Sequence, residues 1–239
     1  MVNDDNALDW TVENFNPTGL KHWQQSPDDL GLAGMPAQQM IVAAHLNYYR
    51  NIIDKTYRIS NALDISDTDI LLDIGSGLGD VAKNFSNIVK HAYCCDINQG
   101  LLNMAEINCQ NRSNMSFHFV TDSQSPLNFL KNTSITKAYA YGVFVHCQLD
   151  IIINYLKEVH RTLKPGGLFY FNYCVESSKP KVFVKHNENE INDLINKLNF
   201  NITDSSVLDL RRGLGDARSK GMNSENKVKM NVLLLSKIK

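Results

Sequence analysis

Asp73, Gly75, Gly77, Gly79 and Asp96 are the residues in this chain whose types and spacing point most directly to chemistry. The run Ile70-Leu71-Leu72-Asp73-Ile74-Gly75-Ser76-Gly77-Leu78-Gly79-Asp80 leads three apolar residues into a carboxylate, then sets glycine at every second position. The apolar lead predicts a buried parallel strand. The glycines predict a tight turn where a ligand approaches bare backbone, with a helix starting near Val81. A helix N-terminus carries unpaired N–H groups and the positive end of a dipole, so the turn is expected to hold something polar or anionic against backbone donors. A dinucleotide turn needs a small residue three places after its second glycine. Here that place holds Asp80, which would repel a pyrophosphate. A carboxylate at the strand end, Asp73, suits instead a ligand that carries an ammonium group.

This segment resembles motif I of the class I S-adenosylmethionine-dependent methyltransferases, and further matches follow in order. His91-Ala92-Tyr93-Cys94-Cys95-Asp96 predicts a second strand ending in a carboxylate. Asp96 lies about 20 residues past the glycine turn, the offset at which an acidic residue binds ribose hydroxyls. Ile97 then offers an apolar face for adenine. Ser116 to Ser123 predicts a third strand ending at Asp122, where the family commonly accepts a hydrogen bond from the adenine amino group. Lys137 to Gly142 predicts a fourth strand. Leu163-Lys164-Pro165-Gly166-Gly167 followed by Leu168-Phe169-Tyr170-Phe171 is similar to the family's helix–turn–strand signature, with Pro-Gly ending the helix.

The resemblance implies a doubly wound α/β fold: a mostly parallel seven-stranded sheet with an antiparallel last strand, preceded by an N-terminal helical arm. It implies S-adenosyl-L-methionine as cofactor, with S-adenosyl-L-homocysteine as product. The cofactor-binding set is then Asp73, Gly75, Ser76, Gly77, Gly79, Asp96, Ile97, Asp122, Ser123, Tyr141 and Gly142. No metal is called for. Another nucleotide-binding doubly wound domain stays open, because a fold does not dictate a function.

The loop after the fourth strand, Tyr141-Gly142-Val143-Phe144-Val145-His146-Cys147, lies where ligands bind in open α/β sheets, at the carboxyl ends of the strands. Free histidine titrates near neutrality, which makes His146 the candidate general base for a hydroxyl acceptor. The competing role is a histidine that orients the loop. No [DN]-P-P-[YF] run follows that strand, which disfavours base and glutamine amides as acceptors. His22, His45 and His186 are weaker candidates that need their segments to fold over the cleft.

The elements that must position these residues fall into a cap, residues 1–66, and a methyltransferase domain, residues 67–239. A helix is expected from Pro36 to about Arg58, with Ile41, His45, Tyr48 and Ile52 as its apolar side. Trp10, Trp23, Tyr48 and Tyr49 could shape an acceptor pocket or simply anchor the arm. The helix over Asp150–Leu163 should bury Ile153, Leu156, Val159 and Leu163 and turn Lys157, Glu158 and Arg161 outward. A helix over Glu188–Leu198 and strands over Asn201–Leu210 and Val228–Ile238 should close the sheet. Between them Arg211–Lys227 reads as a basic glycine-containing loop, with Arg211, Arg212, Arg218 and Lys220 able to meet a phosphate or only solvent.

Composition narrows the partners. A 43% hydrophobic fraction is ample for a core, and a formal net charge of −1 argues against a broad nucleic-acid footprint. Met1-Val2-Asn3-Asp4-Asp5-Asn6 lacks the layout of a signal peptide, and no run is long enough to span a membrane. Five cysteines, none in C-x-x-C spacing, suggest reduced thiols in the cytoplasm. The expected activity is methyl transfer to a small-molecule oxygen or nitrogen acceptor; the alternative is a non-catalytic S-adenosylmethionine-binding subunit or sensor. An RNA methyltransferase is a smaller third possibility, and the oligomeric state is open.

Overall fold

The computed structural model describes residues 37–177, 183–209 and 228–238, with side chains from residue 48 onward. The chain runs α1 (Ala37–Leu63), β1 (Ile70–Ile74), α2 (Asp80–Phe85), β2 (His91–Asp96), α3 (Gln99–Asn108), β3 (Met115–Phe119) and β4 (Ile135–Ala140), then a 3₁₀ turn over Phe144–His146. It continues through α4 (Leu149–Thr162), β5 (Leu163–Ser177), α5 (Glu188–Lys197), β6 (Phe200–Asp209) and β7 (Val228–Lys237). The seven strands lie in the order β3-β2-β1-β4-β5-β7-β6. β7 alone is antiparallel to its neighbours β5 and β6, so the last strand is inserted as the resemblance implies.

Alternation along the strands splits the core into two layers. Leu72, Ile74, Ala138, Ala140, Phe169 and Phe171 face one side with α4 and α5, while Leu71, Ala92, Tyr139 and Tyr170 face the other with Ile59, Leu63 and Phe85. α1 extends five residues past its expected end, and that added turn is its anchor: Ile59 and Leu63 are fully buried. Each such side chain contributes roughly 1.5–3 kcal/mol. Ile41 and His45, Trp10, Trp23 and His22, and the 211–227 loop with its arginines lie outside the described side chains.

Three expectations are corrected. α4 buries Leu156 and Val159 as expected, with Leu163 buried just past its end, but Ile152 and Tyr155 face the core in place of Ile153, which is only half-buried. Arg161 does not point away into solvent. It pairs with Glu158 at 2.7 Å and donates to the Leu127 and Leu130 carbonyls at 2.9 Å each, pinning the segment before β4. Pro165-Gly166-Gly167 does not separate helix from strand. β5 begins at Leu163, and the register jumps from Ile135↔Leu163 to Lys137↔Leu168, so these residues form a bulge built on the left-handed Gly166 (φ 79°).

Candidate active site

The glycine turn joins β1 to α2, and its three glycines are all left-handed, with φ of 69°, 54° and 73° at Gly75, Gly77 and Gly79. Their reasons differ. A Cβ on Gly75 would stand 2.4 Å from Val143 Cγ2, so Gly75 lets the turn close against the loop after β4. A Cβ on Gly79 would press on Cys109 Sγ at 3.2 Å and Ala105 Cβ at 3.3 Å, so Gly79 seats the turn on α3. A Cβ on Gly77 meets nothing within 4 Å. Gly77 is the glycine that borders open space.

Four of the turn's amides, those of Gly75, Ser76, Gly77 and Gly79, are bonded within the protein, so the expectation of free backbone donors does not hold for these four. Gly75 and Ser76 donate to the Cys95 carbonyl at 2.8 and 3.0 Å, and Gly79 donates to the Ser76 carbonyl at 2.9 Å. Gly77 N–H donates to Asp96 Oδ2 at 2.9 Å. Asp96 Oδ1 accepts from Asn98 N–H at 2.9 Å, while Asn98 caps α3 by accepting from Leu101 N–H at 3.0 Å. Burial raises the Asp96 pKa and these amides oppose the rise. A carboxylate offers about four lone-pair sites, so Asp96 keeps acceptor capacity for a ligand.

Asp73 is 3% exposed at the end of β1, and burial pushes its pKa up to about 7. Tyr139 and Lys55 pull the pKa back and Asp96 adds to the rise. The Tyr139 hydroxyl is close enough to influence Asp73, yet it is buried without a fully formed hydrogen bond. Ser76 Oγ is likewise buried without a partner. An under-compensated carboxylate and an orphaned hydroxyl beside open space are what a cationic, polar ligand would relieve. Asp80 is engaged within the protein. Its carboxylate accepts from the Tyr48 hydroxyl and, at 3.0 Å, from Asn108 Nδ2.

The remaining predicted residues are spread along the strand ends. Ile97 is 55% exposed directly after Asp96. β3 stops at Phe119, so Asp122 and Ser123 lie in the following loop; Asp122 Oδ1 accepts from Gln124 N–H at 2.8 Å and the Ser123 carbonyl from Asn154 Nδ2 at 3.1 Å. Tyr141 stacks on Tyr170 with centroids 6.2 Å apart. Gly142 N–H donates to Asn172 Oδ1 at 2.7 Å, and Asn172 is buried. Asn172 is a residue that sequence reasoning missed. A lone Asn inside an apolar strand was the available signal.

His146 ends the 3₁₀ turn and stacks on Phe183, with centroids 5.3 Å apart and planes at 23°. The segment carrying Phe183 does fold over this loop, since Val184 N–H donates to the Val145 carbonyl at 2.8 Å. His186 nonetheless faces inward, its Nε2 3.0 Å from the Cys147 carbonyl. Burial lowers its pKa, and its part is to pin the loop. Among the described residues no three His, Cys, Asp or Glu side chains group so as to hold a metal ion, and no helix is long and apolar enough to cross a membrane.

Known proteins share this fold. Residues 39–191 match the model of the ubiE/COQ5 methyltransferase family. An uncharacterized protein of Methanocaldococcus jannaschii, MJ1252, is 36% identical over 109 residues, 45% of this chain; the chain spans only 38% of that relative's length. Among solved structures, geranyl diphosphate C-methyltransferase from Streptomyces coelicolor, held with Mg²⁺, geranyl diphosphate and S-adenosylhomocysteine, superposes with a TM-score of 0.66 at 11% identity, covering 87% of each chain. Phosphoethanolamine N-methyltransferase 2 of Haemonchus contortus gives 0.60 at 14% identity, covering 78% of this chain and 53% of its own. The [4+2]-cyclase SpnF gives 0.62 at 15% identity over 77% and 80%. The structural likenesses speak for the fold, and the family match spans more than half the chain: the chain belongs to the ubiE/COQ5 methyltransferase family and is of the class I type, with S-adenosyl-L-methionine as its cofactor.

Proposed function

We propose that this chain transfers a methyl group to a small-molecule acceptor, at a hydroxyl or amino group, by direct in-line displacement. The observation that supports this most is the grouping of Asp73, Gly77 and Asp96: a buried carboxylate short of a cation, open space over the middle glycine, and a second carboxylate tied to that glycine's amide. When bound, S-adenosylmethionine supplies an electrophilic methyl on a positively charged sulfur. Asp73 holds the ammonium end, and Asp96 accepts from the ribose hydroxyls with its remaining lone pairs. Gly75, Ser76, Gly77 and Gly79 set the floor, and Tyr141 and Gly142 line the methionine end. Ile97 faces the adenine ring, with Asp122 and Ser123 at its amino group. His146 takes the acceptor's proton as charge develops on the attacking oxygen. Alignment and exclusion of water supply the rest of the rate.

Small-molecule acceptors bound by the Streptomyces and Haemonchus structures support the acceptor class. All five cysteines are free and four are buried, which supports a cytoplasmic setting. The fold is shared with a [4+2]-cyclase, so fold alone does not dictate methyl transfer, and the second reading is a binding subunit or sensor that transfers none. Incubation with methyl-labelled S-adenosylmethionine and pooled small-molecule extract decides between them. The proposal expects label in low-molecular-mass product with the wild type and none with Gly77→Val. Tight cofactor binding with no label transferred to any pool would favour the subunit.

A further inference from the structure

We infer that Lys55 is the residue that pairs with the α-carboxylate of the cofactor's amino-acid end, and so makes the site selective for ligands that carry one. The inference rests on reading the glycine turn as the cofactor site. Tyr48, Ile52, Lys55, Thr56, Ile59 and Leu63 recur at three- and four-residue spacings and therefore share one face of α1. That face is held against the turn at both ends. Tyr48 bonds to Asp80, Asn84 Nδ2 donates to Thr56 Oγ1 at 3.1 Å, and Ile59 and Leu63 enter the core. Lys55 sits between these anchors, only partly exposed, with its ammonium attracted to both Asp73 and Asp80.

It bonds to neither. Among the described residues Lys55 makes no ion pair within 4 Å, although burial lowers its pKa. A lysine with a four-carbon stem normally carries its charge out to water. One kept inside without a bonded counter-ion is costly unless an anion arrives. The other cations nearby are spent. Arg58 is paired with Asp54 at 2.8 Å, and Lys83 donates to the Asn108 carbonyl and Oδ1 at 2.6 and 2.9 Å.

The ligand's own charges fit this arrangement. An amino-acid end carries an ammonium and a carboxylate on one carbon. Asp73 matches the ammonium. The carboxylate would otherwise enter a turn bearing Asp73, Asp80 and Asp96 with no positive partner. Lys55 is the one described cation whose field reaches Asp73.

The test compares two ligands by calorimetry: S-adenosylhomocysteine, which has the amino-acid end, and 5′-methylthioadenosine, which lacks it. Lys55→Met should weaken S-adenosylhomocysteine binding by about 10- to 100-fold, the usual range for losing one charge-assisted pair. Its affinity for 5′-methylthioadenosine should stay within about twofold, and Lys55→Arg should restore most of the lost affinity. An unchanged S-adenosylhomocysteine affinity would overturn the inference. So would an equal loss for both ligands, which would mean that Lys55 only supports the fold. If the wild type bound neither ligand, the reading of the turn itself would fall first, and that result is distinct from either of the others.

Discussion

Val143 Cγ2 stands 2.4 Å from the place a Cβ on Gly75 would take. This contact joins the turn after β1 to the loop after β4, two segments far apart in sequence. It places the candidate cofactor turn and the loop bearing His146 in one unit. Gly75→Ala should therefore cost roughly 1–3 kcal/mol from the clash, plus about 1–2 from its left-handed backbone. Adding Val143→Ala should recover part of the clash and leave the backbone cost, a coupling of at least about 0.5 kcal/mol in urea unfolding. Strict additivity would mean that the two residues do not meet.

Asp73 makes the ligand-free protein sensitive to pH. Its folded pKa, about 7, lies above its unfolded value, so protonation favours the folded state. Its contribution is fully present at pH values below the unfolded carboxylate range and is lost as pH rises through about 7. Asp73→Asn should thus raise the ligand-free Tm by several degrees at pH 8, by less at pH 5, and hardly at all below about pH 3.5. The same variant should lose cofactor affinity. A Tm change that does not vary with pH would show that Asp73 is not titrating as described.

Asp96→Ala removes the acceptor of two amides, Gly77 N–H and Asn98 N–H, as well as the proposed ribose contact. Cofactor affinity should fall by roughly 2–4 kcal/mol, and the Tm should fall too because two amides lose their acceptor. Circular dichroism should still report the folded sheet. Unchanged affinity with an intact fold would exclude Asp96 as a ligand.

His146→Ala should lower turnover by about 10²–10⁴-fold while cofactor affinity barely moves. The pH–rate profile should lose its limb near neutrality. If the surviving activity kept the wild-type pH dependence, the contribution of His146 would be to hold the loop, in part through its stack on Phe183.

The sequence made the β1 and β2 boundaries readable, because an apolar run ending in a carboxylate has few other structures open to it. The inserted antiparallel strand was legible only through resemblance, since no local pattern tells a strand which neighbour to choose. One position of α4 is not legible, because Ile151-Ile152-Ile153 offers three apolar residues in a row and spacing alone does not decide which faces inward. Lys55 is illegible for a different reason. It falls on the inner stripe of α1, yet a lysine on a helix is ordinarily read as solvated, and only the packing against α2 reveals it. The duties of Gly75 and Gly79 were hidden as well, because the residues they touch, Val143, Ala105 and Cys109, are remote in sequence.

Titration calorimetry with S-adenosylhomocysteine and with NAD tests the central claim most directly. Asp73 awaits a cation, and the turn amides of Gly75, Ser76, Gly77 and Gly79 are already bonded within the protein. The account therefore predicts saturable, one-to-one binding of S-adenosylhomocysteine and no measurable heat with NAD. Tight binding of NAD with none of S-adenosylhomocysteine would contradict it.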